Sequence, residues 1–289
     1  MVWYKRISKK RRKTMAEIKL IITDLDGTFC VDTDTIPAIN IEAAKAAQQK
    51  GIPVCACTGR HWPAAKPVVS AAGLDDLCAI CNGAAVVEIS TGKLRYRSRL
   101  HPDVLKKLVD VCVKHDLLFV GHTAHKTPYY MPALIERFRS SIEGNAPEEE
   151  LAAHDPYDSP EAFVEGTKDD MLMLMVTTRQ GVLPNETIME ELYACGDITV
   201  TSSESGELQI MAGESNKEAG AKVLADCKGV PAEQVLALGD NYNDVDMMVW
   251  AGTSAAMGGA KPEAKAVADY VSDTCQNGGA GKAIQKYVL

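Results

Sequence analysis

Nowhere does this chain stay apolar for the roughly 20 residues that crossing a bilayer requires, which excludes a membrane-spanning protein. Its N-terminal basic run is not followed by an apolar segment, so it does not read as a secretory signal. That run, residues 1–14, contains no acid. Lys5, Arg6, Lys9, Lys10, Arg11, Arg12 and Lys13 give it +7, and the net charge of -8 then leaves about -15 on the remainder. So acidic a body is a poor partner for nucleic acid. The nine cysteines are scattered, and Cys78-x-x-Cys81 has no second pair nearby and falls in a predicted strand. That argues against a zinc or redox site and for a reduced, cytoplasmic setting. The acidic loops also lack the glycine of a calcium-binding EF-hand: Phe29 stands at that place after Asp24, and Val245 after Asp240.

What is present suits an ordinary globular chain. Its 289 residues, 46% hydrophobic and 24% charged, have core enough for two domains. Three readings of the basic tail stay open. Translation could start at Met15, or the tail could anchor to anionic lipid or nucleic acid, or it could be a short targeting segment.

From Leu20 the pattern becomes that of a parallel α/β sheet. The apolar run Leu20-Ile21-Ile22-Thr23 ends in Asp24-Leu25-Asp26-Gly27-Thr28. An alanine-rich helix over about 40–50 follows, with Gly51 placed at its C-terminal cap. Ile52 to Cys57 then reads as a strand ending in Thr58-Gly59-Arg60, and Leu77 to Cys81 as one ending in Asn82-Gly83. Strands alternating with helices, each ending in polar or glycine residues, predict a doubly wound, Rossmann-like parallel-sheet core. The rhythm breaks at Ala85–Ser90 and Lys93–Leu100, which read as a hairpin, and resumes near Ser215 with a helix. The strand Val235 to Leu238, the pair Gly239-Asp240 and a helix over about 244–250 follow. The expected organisation is a core of 15–83 and 212–289 interrupted by a second α/β domain, 84–211.

In open α/β sheets, ligands bind beyond the carboxyl ends of the strands. Several chemically capable residues stand there. Phosphoryl transfer needs an in-line nucleophile, charge neutralisation and proton handling. Asp24 offers the nucleophile and Asp26 the acid and base. Thr58 and Gly59 offer a hydroxyl and backbone N–H groups to a phosphate. Asp240 with Asp24 offers the hard oxygens that Mg2+ prefers. Ser215 and Glu218 fit a capping box, which makes Lys217 the second residue of its helix. A lysine there opposes the helix dipole, and a bound phosphoryl group would remove the conflict. Each has a bland counterpart: Asp26-Gly27 as a turn, Thr58-Gly59 as a strand end, Lys217 as a solvated lysine. His122 and His125, in the insertion, read as loop or packing residues, as substrate contacts or as a metal site.

With these residues assembled, the chain resembles the haloacid dehalogenase superfamily and, within it, the Cof-type sugar-phosphate phosphatases. Asp24-Leu25-Asp26-Gly27-Thr28, Thr58-Gly59-Arg60, the helix-opening Lys217 and Gly239-Asp240-Asn241-Tyr242-Asn243-Asp244 match its four motifs in order. The insertion falls where that subfamily carries its α/β cap. The resemblance implies a magnesium-dependent hydrolase of a small phosphorylated metabolite, working through an aspartyl-phosphate. Asp24 would be the nucleophile and Asp26 the acid/base, with Mg2+ held by Asp24, the Asp26 carbonyl and Asp240, and Asp244 in support. Thr58, Gly59 and Lys217 would bind the phosphoryl group, and Arg60, Asn243 and Asn82-Gly83 would lie near substrate. The alternatives are a phosphomutase of the same superfamily and a non-catalytic phosphosugar-binding regulator. No nucleic acid is required, and oligomeric state is not read from sequence. The basic tail is the feature that the family pattern does not explain.

Overall fold

The computed structural model describes residues 16–32, 35–130, 152–202 and 206–289. The basic tail, residues 1–14, lies outside the described residues.

The first half of the core alternates as expected. It runs β1 (Leu20–Thr23), α1 (Ala38–Gln49), β2 (Val54–Cys57), α2 (Trp62–Ala72) and β3 (Leu77–Ile80). Every residue of β1 and β2 is buried, as befits strands covered by helices on both faces. After β4 (Ala85–Glu88) and β5 (Leu94–Arg97) comes α3 (Pro102–Lys114), which buries Leu105, Leu108, Val109 and Cys112, spaced to share one helix face. Next are β6 (Leu118–His122), β7 (Thr127–Tyr130), β8 (His154–Pro156), α4 (Pro160–Thr167), β9 (Met173–Thr177), α5 (Glu186–Tyr193), β10 (Ile198–Ser202) and β11 (Leu208–Ala212). The chain closes with α6 (Lys217–Lys228), β12 (Val235–Gly239), α7 (Val245–Trp250), β13 (Thr253–Ala256), α8 (Pro262–Val267), β14 (Tyr270–Val271) and α9 (Gly279–Val288).

Two sheets result. The larger has strand order β14-β13-β12-β1-β2-β3-β4-β5, parallel from β14 to β3 and antiparallel at β4 and β5. The smaller has order β10-β11-β9-β6-β7-β8 and is antiparallel except between β7 and β8. The fold is therefore a doubly wound α/β core with an inserted α/β cap. The hairpin read at the start of the insertion has a different place: β4 pairs with β3 and extends the core sheet. Its physical cause is burial, because Ala85, Val86 and Val87 are fully enclosed and complete the existing hydrophobic layer. Excursion to the smaller sheet begins after β5.

Asn40 ties the two ends of the core together. Its amide donates to the Phe29 carbonyl and accepts from the Gly281 N–H, joining α1 to α9 next to the loop that follows β1.

Candidate active site

Strands β1 and β12 lie side by side, yet the chain leaves them in opposite directions across the sheet, to β2 and β3 or to β13 and β14. Such a reversal opens a crevice at the carboxyl edge. Asp24 follows β1 immediately and Asp240 follows β12 immediately, so both carboxylates are delivered to that crevice. The local backbone lets them approach. Gly27 has φ +77°, and a Cβ built on it would lie 2.6 Å from Asp240 Oδ2. Any other residue there would be strained and would displace the carboxylate. Thr28 Oγ1 donates to Asp240 Oδ1 at 2.7 Å and fixes its orientation.

Lys217 opens α6, whose cap is Asn216: Asn216 Oδ1 accepts from the Ala219 N–H at 2.8 Å. This corrects the sequence reading by one residue. Ser215 and Asn216 are both good capping types, and it is Asn216 whose extended backbone makes it the cap, while Ser215 is buried behind it. Lys217 is thus the first helical residue. Its conflict with the helix dipole is resolved by two anions: Nζ lies 2.8 Å from Asp24 Oδ1 and 2.6 Å from Asp244 Oδ1.

Both ends of this ion pair are out of water, with Lys217 1% and Asp24 4% exposed. Burial alone would lower the lysine, but the charges of Asp24 and Asp244 prevail and hold it above its ordinary range. Burial drives Asp24 well above the usual carboxylate range. Lys217 counters this, and Asp244, Asp240 and Asp26 add to it. Asp240 is pushed to about 6, first by burial and then by Asp244. Like charges crowded in a dry crevice resist ionisation unless a cation joins them.

Asp24, Asp240 and Asp244 each present a carboxylate oxygen within 4.8 Å of the others. Their hard oxygens and mutual repulsion fit Mg2+. Asp244 is already engaged: besides Lys217, its Oδ2 accepts from the N–H groups of Asp240 and Asn241 at 2.9 Å each. That arrangement suits support of Asp240 and Lys217, leaving Asp24 and Asp240 as the side-chain ligands to join the Asp26 carbonyl that the resemblance implies. The Asp26 carboxylate stands apart from this group.

Asp26 instead pairs with Arg60. Arg60 Nε donates to Asp26 Oδ2 at 2.9 Å and Nη2 donates to Oδ1, a two-pronged grip. The Asp26 side chain is 53% exposed and that of Arg60 10%. Sequence reasoning gave no signal of this pairing, since the residues lie on separate loops. Thr58 is buried at the end of β2, and its Oγ1 accepts from the Arg60 N–H at 3.1 Å. Gly59 lies against Asn82, whose Oδ1 would be 3.1 Å from a Cβ at position 59. Asn82 is held at φ 51° between two further positive-φ residues, Cys81 and Gly83. At Gly83 a Cβ would meet the Asn216 carbonyl at 2.1 Å, so this glycine lets the turn seat against the start of α6. Asn243 Nδ2 donates to Asn82 Oδ1 at 2.9 Å. Asp24, Asp240, Asp244 and Lys217 thus form one cluster, with Asp26 held by Arg60 and Asn82 bonded to Asn243. Thr28 and Asn216 join without having been assigned roles, as does Gln209, which accepts from Asn82.

His122 and His125 lie where the two sheets meet. His122 stacks on His61 with ring centroids 4.3 Å apart, and His125 meets Trp62 edge-on at 5.3 Å. His61 also shares a hydrogen bond of 3.1 Å with Thr127. These are packing contacts between cap and core. Burial, with His154 and Arg60 nearby, lowers His61 from 6.5 to about 4, and His122 lies well below its ordinary range for the same first reason. Both are neutral when folded and can take a proton when unfolded. The stability they support is therefore lost as pH falls from about 6.5 towards 4, by about 3 kcal/mol for His61 alone. Urea unfolding at a series of pH values checks this. The His61→Gln variant should lose less stability than the parent over that window, and equal losses would contradict the assignment.

Comparison with known proteins settles the family. The sequence profile of the haloacid dehalogenase-like hydrolases matches residues 21–284. The chain belongs to that family. It is similar to the 5-amino-6-(5-phospho-D-ribitylamino)uracil phosphatase YcsE of Bacillus subtilis, at 29% identity, covering 94% of this chain and 97% of that one. A second B. subtilis phosphatase named for the same compound, YitU, is 26% identical over 93% of this chain and 97% of its own. Among solved structures, the phosphatase BT1666 of Bacteroides thetaiotaomicron has the same fold, with a TM-score of 0.78 at 21% identity, covering 96% of this chain and 98% of that one. No described helix is long and apolar enough to cross a membrane.

Proposed function

We propose that this haloacid dehalogenase-like hydrolase is a magnesium-dependent phosphatase of a small phosphorylated metabolite, with Asp24 as its nucleophile. The observation that carries the reading is the convergence of Asp24, Asp240 and Lys217 at the switch point of the sheet. Bound there by Asp24 and Asp240, with Asp244 behind them, Mg2+ would neutralise carboxylate and phosphoryl charge.

Asp24 attacks phosphorus, the ester P–O bond breaks, and the leaving oxygen takes a proton from Asp26. Water then attacks the aspartyl-phosphate, giving its proton back to Asp26, and inorganic phosphate departs. Lys217 and the Thr58–Gly59 turn hold the phosphoryl oxygens. In this scheme Asp26 leaves the Arg60 grip when substrate enters, and its side chain is half exposed, so the exchange requires no unpacking. The smaller sheet serves as the lid that excludes bulk water. A regulator that only bound phosphosugars would not require Asp24 and Asp26 together.

The names of two relatives make 5-amino-6-(5-phospho-D-ribitylamino)uracil the first candidate substrate. The test is phosphate release from that compound and from sugar, nucleotide and cofactor phosphates. Mg2+-dependent release, abolished by chelator and restored by added Mg2+, is expected. Phosphoryl transfer between sugar hydroxyls without free phosphate would indicate a mutase, and no turnover of any ester would overturn the reading.

A further inference from the structure

Three side-chain amides run in a line from the cap into the phosphoryl site. Gln209, on β11 of the smaller sheet, accepts at Oε1 from Asn82 Nδ2 at 2.6 Å. Asn82 Oδ1 in turn accepts from Asn243 Nδ2 at 2.9 Å. At the far end, Asn243 Oδ1 is buried and has no hydrogen-bond partner among the described residues. A buried acceptor without a donor is a loss that folding avoids, and Asn82, to which Asn243 is bonded, lies against the Gly59 turn.

The strand register shows what surrounds Gln209. Thr201 pairs with Gln209, Gln209 with Met175, Met175 with Val120 and Val120 with Tyr129, so the five form one row over β10 to β7, which Pro156 ends on β8. Side chains directly opposite in paired strands share a face. Gln209 reaches Asn82, so that face looks onto the core. The opposite face, carrying Leu174, Val176, Leu208 and Ile210, packs with the cap helices. The row offers a hydroxyl, an amide, a thioether, an aliphatic group and a phenol. It holds no charge.

We infer that Gln209 is a specificity-determining residue that hydrogen-bonds the leaving group, and that this group is an uncharged polyol or ring rather than a second phosphate or carboxylate. The inference rests on the phosphatase reading above. A side-chain amide has a donor and an acceptor, and Asn82 engages only the acceptor of Gln209. Substrate takes the Nε2 donor. The thioether of Met175 and the methyls of Val120 accommodate the apolar face of such a group.

Gln209→Glu separates this role from a merely structural one. It keeps an acceptor for Asn82 but removes the N–H donor. The measurement is kcat and KM with Mg2+ for wild type, Gln209→Glu and Gln209→Ala, on ribitol 5-phosphate, phenyl phosphate and fructose 1,6-bisphosphate. Wild type should favour ribitol 5-phosphate over the bisphosphate. In both variants the ratio of kcat/KM for ribitol 5-phosphate to that for phenyl phosphate should fall by about tenfold or more, mainly through KM. An unchanged ratio, or Gln209→Glu behaving as wild type, would show that Gln209 only holds the cap shut and would overturn the inference. A wild type that prefers the bisphosphate would overturn the assigned substrate class. If wild type hydrolyses none of the three, the phosphatase reading falls and takes the inference with it.

Discussion

Asp24→Asn is expected to abolish magnesium-dependent turnover, by about 10^4-fold or more, while the metal-free protein melts no lower than wild type. The rate loss follows from removing a covalent nucleophile, whose deletion in other hydrolases is of that scale. The stability claim follows from the electrostatics. Burial, Asp244 and Asp240 raise Asp24, and Lys217 only partly offsets them. A carboxyl raised in the folded state contributes stability that is fully present below its unfolded pKa and lost as pH rises through the folded value. Near neutral pH without metal, an ionised Asp24 is therefore a burden, and an uncharged amide of the same shape relieves it. Lys217 keeps Asp244 as its counter-ion at 2.6 Å. Phosphate release and thermal melting of the two proteins, side by side with chelator, check both halves. Retained turnover, or a variant that fails to fold, would contradict the role assigned to Asp24.

Lys217→Met should be the most destabilising single change in the site. It leaves Asp24 and Asp244 facing each other in a buried crevice without their cation. Breaking a buried ion pair from one side costs about 3–5 kcal/mol, because a charge is stranded rather than merely unpaired. The expected readout is a fall of that size in the urea unfolding free energy, together with loss of turnover. The double variant Lys217→Met/Asp24→Asn removes one of the stranded carboxylates and should recover more stability than Asp24→Asn gains in the wild-type background. Such non-additivity marks side chains in direct contact. A fully additive pair would show that the lysine and the aspartate do not interact as placed.

The part of this site that could be read in the chain was the part built on strand ends. Parallel strands deliver their carboxyl ends to one edge, so Asp24, Thr58 and Asp240, each just past a buried apolar run, had to share that edge. Lys217 announced itself by breaking a helix-start rule, although the anions that resolve it, Asp24 and Asp244, are distant in sequence. Features set by pairing between remote segments were not legible. Nothing local told the buried run Ala85–Val87 to join β3 rather than begin a new sheet. Ser215 and Asn216 are adjacent capping residues, and it is Asn216 that takes the extended cap conformation and accepts from Ala219. The Arg60 grip on Asp26, the stacking of His122 on His61 and the reach of Gln209 to Asn82 each join separate elements. Strand β13 has the small residues Thr253-Ser254-Ala255-Ala256 and lacks the branched apolar signal that revealed β1 and β12.

Central to this account is a phosphoryl group carried on Asp24, and chemical trapping tests it most directly. An acyl phosphate is reduced by borohydride to an alcohol, which would turn the aspartate into homoserine. Wild type quenched during turnover of a hydrolysed ester with Mg2+, treated with borohydride and digested, should yield a peptide with homoserine at position 24. That product should be missing when substrate or Mg2+ is omitted. Homoserine at another aspartate, or an unmodified position 24 under conditions of rapid turnover, would contradict the account.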